Sequence, residues 1–98
     1  MGFVVRADAL LRPLIPGYLR NRHEDVQRMA DALQSGDFAT LRKLGHNMRG
    51  SGHSYGFPPI SDLGQQLEEA AAAGDGARIG ALIESLRAFL ETVELPAA

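Results

Sequence analysis

Apolar positions along the chain recur at helical intervals. Between about Gly17 and Gln34, Leu19, Val26, Met29 and Leu33 fall at steps of three, four or seven. Phe38, Leu41, Leu44, Met48 and Tyr55 make a second stripe, and Ile60, Leu63 and Leu67 a third within roughly Pro59 to Ala73. The densest stripe is the fourth, Ile79, Leu82, Ile83, Leu86, Phe89, Leu90 and Val93, from about Ala77 to Val93. The breaks between stripes carry the residues that stop helices. "SGD" (residues 35–37) ends the first and offers Asp37 as an N-cap, "FPP" (57–59) stops the second, and "GDG" (74–76) turns the chain into the last.

No segment alternates with period two over the length of a strand, so no sheet is expected. Four amphipathic helices joined by loops of about two to five residues must lie antiparallel to their chain neighbours. The pattern therefore predicts an all-α fold, an antiparallel up-down-up-down four-helix bundle over residues 16–94. Residues 1–15 form an apolar lead-in with Pro13 just before the bundle, expected to cap one end of it with Leu10, Leu11, Leu14 and Ile15. The 98 residues suffice for one core and not two, so residues 1–98 make a single domain.

The second helix differs from the others on its polar side. In "LGHNMRGSGHSYGF" (44–57), four glycines surround two histidines and an arginine, and there is no acid. At about 100° per residue, Arg42, His46, Arg49, Gly50 and His53 cluster opposite the apolar stripe. His46 thus lies on a basic, outward face. The formal charge of −2 divides into +3 for residues 38–61 and −5 for the rest of the chain. An acidic chain with one basic face is not a general nucleic-acid binder. Gly45, Gly52 and Gly56 border the apolar stripe, where helix packing accounts for them, but Gly50 sits beside His46 on the open side. A missing side chain there clears space for an approaching partner.

Other chemistries find little support. With no cysteine, disulfides and thiolates are excluded. His46 and His53 are seven residues apart, about 10 Å along a helix, whereas helical metal ligands usually stand four apart. His23 is on another helix without an evident partner, so no metal site is expected. Ser51 and Ser54 belong to no nucleophile motif, and no glycine-rich strand-to-helix turn exists for a nucleotide. The start "MGFVVRADALLR" has no apolar run long enough for a signal peptide or membrane span, and Arg6 breaks the myristoylation pattern. A cytoplasmic location is the default expectation. The plainest alternative is a helical adaptor in which His46 is an ordinary surface histidine.

The stretch "HNMRGSGHSYG" resembles the signature of histidine-containing phosphotransfer (HPt) domains of bacterial two-component phosphorelays. In that signature the phosphorylated histidine is followed three residues later by lysine or arginine, then glycine, small residues, and a further glycine near the helix end. His46, Arg49, Gly50, Ser51 and Gly56 occupy those places. The resemblance extends over "SGDFATLRKLG" before the motif and "FPPISDLGQQLEEAA" after it, nearly the whole chain from about Ile15. It implies the same four-helix bundle, with Glu68 contacting the histidine ring and Gln65 lining the same face one turn earlier. Arginine for the commoner lysine, and His53 where a small residue is usual, are departures.

The resemblance implies a phosphocarrier, not an enzyme. His46 would accept a phosphoryl group and pass it to or from a response-regulator receiver aspartate, or take it from a histidine kinase. Arg49, Gly50, Glu68 and Gln65 would support the histidine, and Arg42, Lys43, Ser51 and His53 would form the docking surface. The chain would need no cofactor, since the receiver brings its own Mg²⁺, and a monomer without nucleic-acid or membrane partners is expected. The same module also serves as the phospho-accepting domain of chemotaxis-type or hybrid kinases. Met1 and the tail "ELPAA" lean towards a free-standing protein.

Overall fold

A computed structural model describes residues 3–4 and 10–94. Four helices dominate it: α1 (Ile15–Ser35), α2 (Phe38–Gly52), α3 (Pro58–Ala72) and α4 (Gly76–Thr92). Each packs on its chain neighbours, and α4 closes onto α1. The fold is the all-α four-helix bundle that the apolar pattern predicts.

Local chemistry sets the helix ends. Gly36 closes α1 in the left-handed region at φ 72°, where a Cβ would be strained. Asp37 then caps α2, accepting from the Thr40 N–H at 3.1 Å. Pro58 and Pro59 open α3, where a missing N–H costs nothing. Asp75 caps α4 through the Arg78 N–H. α2 stops at Gly52, before Tyr55, because the chain turns through Gly56 at φ 86°. Gly56 is therefore a turn glycine.

Every stripe residue named above is buried or packs against the core. Phe57 joins the core from the α2–α3 turn. Two expectations for the chain ends need correction. Leu10 and Leu14 do not cap the bundle: they are 85% and 53% exposed. A 3₁₀ turn, Arg12–Leu14, runs directly into α1, so the register that buries Ile15 turns Leu14 outward. Leu11 is half-buried, and residues 5–9 and 95–98 lie outside the described residues. A small sheet also exists: β1 (Phe3–Val4) pairs in parallel with β2 (Val93–Glu94). Two residues are too few to show an alternating pattern.

α2 and α3 make the tightest pairing of the bundle. A Cβ on Gly45 would lie 2.8 Å from both the Glu68 N and the Gly64 O, and one on Gly64 would lie 2.5 Å from the Arg49 N and 2.7 Å from the Gly45 O. Further along, a Cβ on Gly52 would strike Ser61. Backbone touches backbone along this seam, and each step forward on α2 meets a step back on α3. On its other side α2 is tied to α1. The Tyr18 hydroxyl and Ser51 Oγ are 2.9 Å apart, and Tyr18 stacks on Tyr55 with ring centroids at 4.1 Å. Arg22 covers the Tyr18 ring at 4.5 Å while its Nε donates to buried Asp25 at 2.8 Å. Burial raises the Asp25 carboxyl, against the pull of Arg22 and Arg28.

The seam predicts opposite outcomes for neighbouring glycines. Gly45→Ala and Gly64→Ala must push two backbones apart and should each cost about 1–3 kcal/mol. Around a Cβ on Gly50 there is nothing within 4 Å among the described residues. Gly50→Ala should keep stability or raise it by up to about 1 kcal/mol through helix propensity. Denaturant unfolding of the three variants distinguishes the cases, and a Gly50→Ala loss matching the others would refute this account of the seam.

Candidate functional site

The α2–α3 register sets Glu68 against the outward face of α2. Its Oε2 lies 3.0 Å from His46 Nδ1, and its Oε1 accepts from Arg49 Nη1 at 2.9 Å. One carboxylate thus spans two residues a helical turn apart. Burial pushes the Glu68 carboxyl up, but the hydrogen bonds and charges of His46 and Arg49 outweigh it and hold it below the usual range. An ionised carboxylate only accepts, so Nδ1 carries the proton. In the neutral ring the lone pair then belongs to Nε2. The His46 side chain is 63% exposed and that of Glu68 only 19%. An oriented imidazole therefore stands on the surface, braced from below.

The other predicted residues divide into those that join this cluster and those that do not. Arg42 and Lys43 are exposed and, with Ala39, His46 and Glu68, line an open groove of about 420 Å³. Gly50 is exposed with open space around it. His53 is exposed at the C-cap of α2. Ser51 turns away: its hydroxyl meets Tyr18 on α1, so it belongs to the α1–α2 contact and not to the groove. Gln65 is exposed one turn before Glu68 and makes none of the bonds that join His46, Arg49 and Glu68. Among the described residues, no three His, Cys, Asp or Glu side chains gather as a metal-binding group, and no helix is long and apolar enough to cross a membrane.

The helical pattern alone does not predict the Arg49–Glu68 pair or the contacts of Ser61 and Gly64. A signal exists for the close approach, though not for the Arg49–Glu68 pair: Gly45 and Gly52 recur on α2, and Ser61 and Gly64 on α3, at helical spacing. Small residues at matching helical spacing on consecutive helices mark a close antiparallel approach.

Fold and site together define a helical bundle that presents a braced, exposed histidine on a basic face. A family model, Hpt domain, matches residues 17–95, and the chain belongs to that family. Hpt domains are phosphocarriers, not catalysts, and membership implies phosphotransfer in a two-component phosphorelay. No curated protein and no solved structure matches the chain.

The lowered carboxyl makes a pH prediction. A carboxylate whose folded pKa lies below its unfolded value contributes stability above the unfolded value, about 4.3 for Glu, and loses it as pH falls through the folded one. Glu68→Gln should therefore be less stable than wild type at pH 7, with the gap closing on acidification towards pH ~3. Thermal unfolding of both proteins across that range measures it. A gap unchanged by acid would mean that the carboxylate's charge contributes nothing.

Proposed function

We propose that the chain carries a phosphoryl group on Nε2 of His46 and exchanges it with the aspartate of a response-regulator receiver domain, a histidine kinase being the other possible donor. The observation that supports this best is the shared carboxylate, Glu68, which holds His46 Nδ1 and Arg49 together on an open face. The partner receiver would supply its own Mg²⁺ and acidic pocket, so this chain acts as a carrier and brings no cofactor.

In the transfer, the Nε2 lone pair attacks the phosphorus of the aspartyl phosphate. The N–P bond forms as the P–O bond breaks, and the aspartate leaves as a carboxylate. No proton has to move. The ring becomes a phosphorylated imidazolium whose positive charge faces Glu68 through the Nδ1–H, and the return reaction reverses these steps. Arg49 gives one donor to Glu68 and, having five, keeps others for the phosphoryl oxygens. Little covalent work falls to the protein, since phosphoryl transfer depends mainly on positioning and charge neutralisation. Arg42 and Lys43 extend the positive field along the groove and raise the encounter rate with an acidic partner. Gly50 leaves room for the partner's loops beside His46.

The acceptor is tested by labelling. His46→Gln should take no phosphoryl group, whereas His23→Gln and His53→Gln should label normally, and the product should be acid-labile and alkali-stable. Label retained on His46→Gln would sink the assignment and favour the adaptor reading. An acid-stable product would point to serine.

The supporting residues separate orientation from charge. Glu68→Ala should slow transfer roughly tenfold, the effect of losing one charge-assisted hydrogen bond. Arg49→Ala should slow transfer, shorten the life of the phosphohistidine and weaken the salt dependence of the rate. Arg49→Lys should restore most of the activity. Time courses of transfer from a phosphorylated receiver at two salt concentrations decide this, and wild-type rates from both alanine variants would end the mechanism.

A further inference from the structure

Ser61 is 3% exposed and sits on α3 against the last turn of α2. Its hydroxyl donates to the Arg49 carbonyl at 2.9 Å and accepts from the His53 N–H at 2.8 Å. In an uninterrupted α-helix those two backbone groups would bond each other, being residue i and residue i+4. Here a side chain from the neighbouring helix bonds to both of them. One hydroxyl has one proton to give and lone pairs to receive, so both partners are served by a single atom.

The surroundings are shaped for this insertion. A Cβ on Gly52 would strike the Ser61 N as well as its Oγ, so the bare backbone at position 52 admits both the α3 main chain and the hydroxyl. An apolar residue at position 61 would fill the same volume without entering the ladder. The consequence falls on Arg49. Its carbonyl is held by Ser61 and its guanidinium by Glu68, both residues of α3 and seven apart. Arg49 is therefore fastened at both ends to the helix that braces His46.

We propose that Ser61 is a positioning residue for phosphoryl transfer at His46: by entering the last turn of α2 it fixes the backbone from which Arg49 reaches Glu68 and the phosphoryl oxygens. This rests on the phosphotransfer reading above. Without the hydroxyl, the Arg49 carbonyl and the His53 N–H lose the atom that fastens them to α3. That release loosens the turn carrying Arg49 while leaving α2 a helix. Ser61 touches neither the ring nor the phosphoryl group and acts only through Arg49.

The test is a double-mutant cycle on the full chain, with phosphoramidate as the phosphoryl donor, so that no cognate partner is needed. In that reaction the donor's N–P bond breaks as the His46 N–P bond forms, and ammonia leaves after taking a proton from water. The readouts are the initial rate of His46 phosphorylation, the half-life of the phosphohistidine, and the melting temperature. Ser61→Ala should lower the rate about threefold or more and shorten the half-life. In an Arg49→Ala background the same change should alter neither. A purely structural serine would reduce the rate by the same factor in both backgrounds, and that result overturns the proposal, as does an unchanged rate in the single variant. Ser61→Cys, close in volume and weak as a hydrogen-bonding group, replaces Ser61→Ala throughout if the alanine variant does not fold. Wild-type protein that takes no phosphoryl group would overturn the phosphotransfer reading itself. A phosphorylated wild type with additive losses overturns only the role of Ser61.

Discussion

The close approach of α2 and α3 is the constraint on which the site depends. Gly45 and Gly64 bring the two backbones together where any side chain would collide with main chain, and Gly52 does the same opposite Ser61. The antiparallel register that follows places Glu68 beside His46 and Arg49 at hydrogen-bonding distance. Hydrogen bonds weaken steeply beyond about 3.2 Å. Separating the helices by the width of one methyl group would therefore unmake the cluster before it unmade the bundle. The geometry of the imidazole is, in this sense, a property of helix packing.

Glycine serves two unrelated ends on the same helix. Each glycine inside α2 costs about 1 kcal/mol of helix propensity relative to alanine. At positions 45 and 52 that cost is offset by the contact between backbones. At position 50 nothing among the described residues occupies the space, so no packing returns the loss. An exposed glycine beside a braced histidine, on a basic stretch of an acidic chain, is what an incoming macromolecule would require. Charge follows the same division. Glu68 is held ionised by His46 and Arg49, while Arg42 and Lys43 along the groove have no acid within their own stretch of sequence.

The bundle was legible in the apolar spacing because helices bury stripes, and a stripe survives any error in its end points. The chain ends were not. Leu10 and Leu14 look like a cap by composition, but their exposure follows from a continuous 3₁₀-to-α register that no local pattern reveals. The β1–β2 pairing joins residues 3–4 to 93–94 and leaves no trace in either segment alone. Of the site, the outward position of His46, Arg49 and Gly50 could be read from the helical period. Glu68 came from a family resemblance, since nothing in its own helix points to a partner on α2. Ser51 was placed on the docking face by its neighbours in the motif, yet one step of about 100° carries it to α1. The spacing of Ser61 and Gly64 marks a close approach of helices, but the backbone groups that the Ser61 hydroxyl meets are silent until the facing helix is known.

That 100° step also explains how the end of the motif helix can be both open and rigid. Three consecutive residues point in three directions. Gly50 faces solvent, Ser51 meets Tyr18 on α1, and Gly52 admits Ser61 of α3. A glycine in the last turn of a helix would ordinarily fray, since it gains most entropy from disorder. Here the residues directly after it are fastened on both flanks, one by a hydroxyl pair beneath a stack of aromatic rings and the other by backbone contact. Restraint comes from the neighbours and access from the glycine. A partner can therefore approach His46 closely without the chain reordering to receive it, and binding then loses little conformational entropy on this side of the contact.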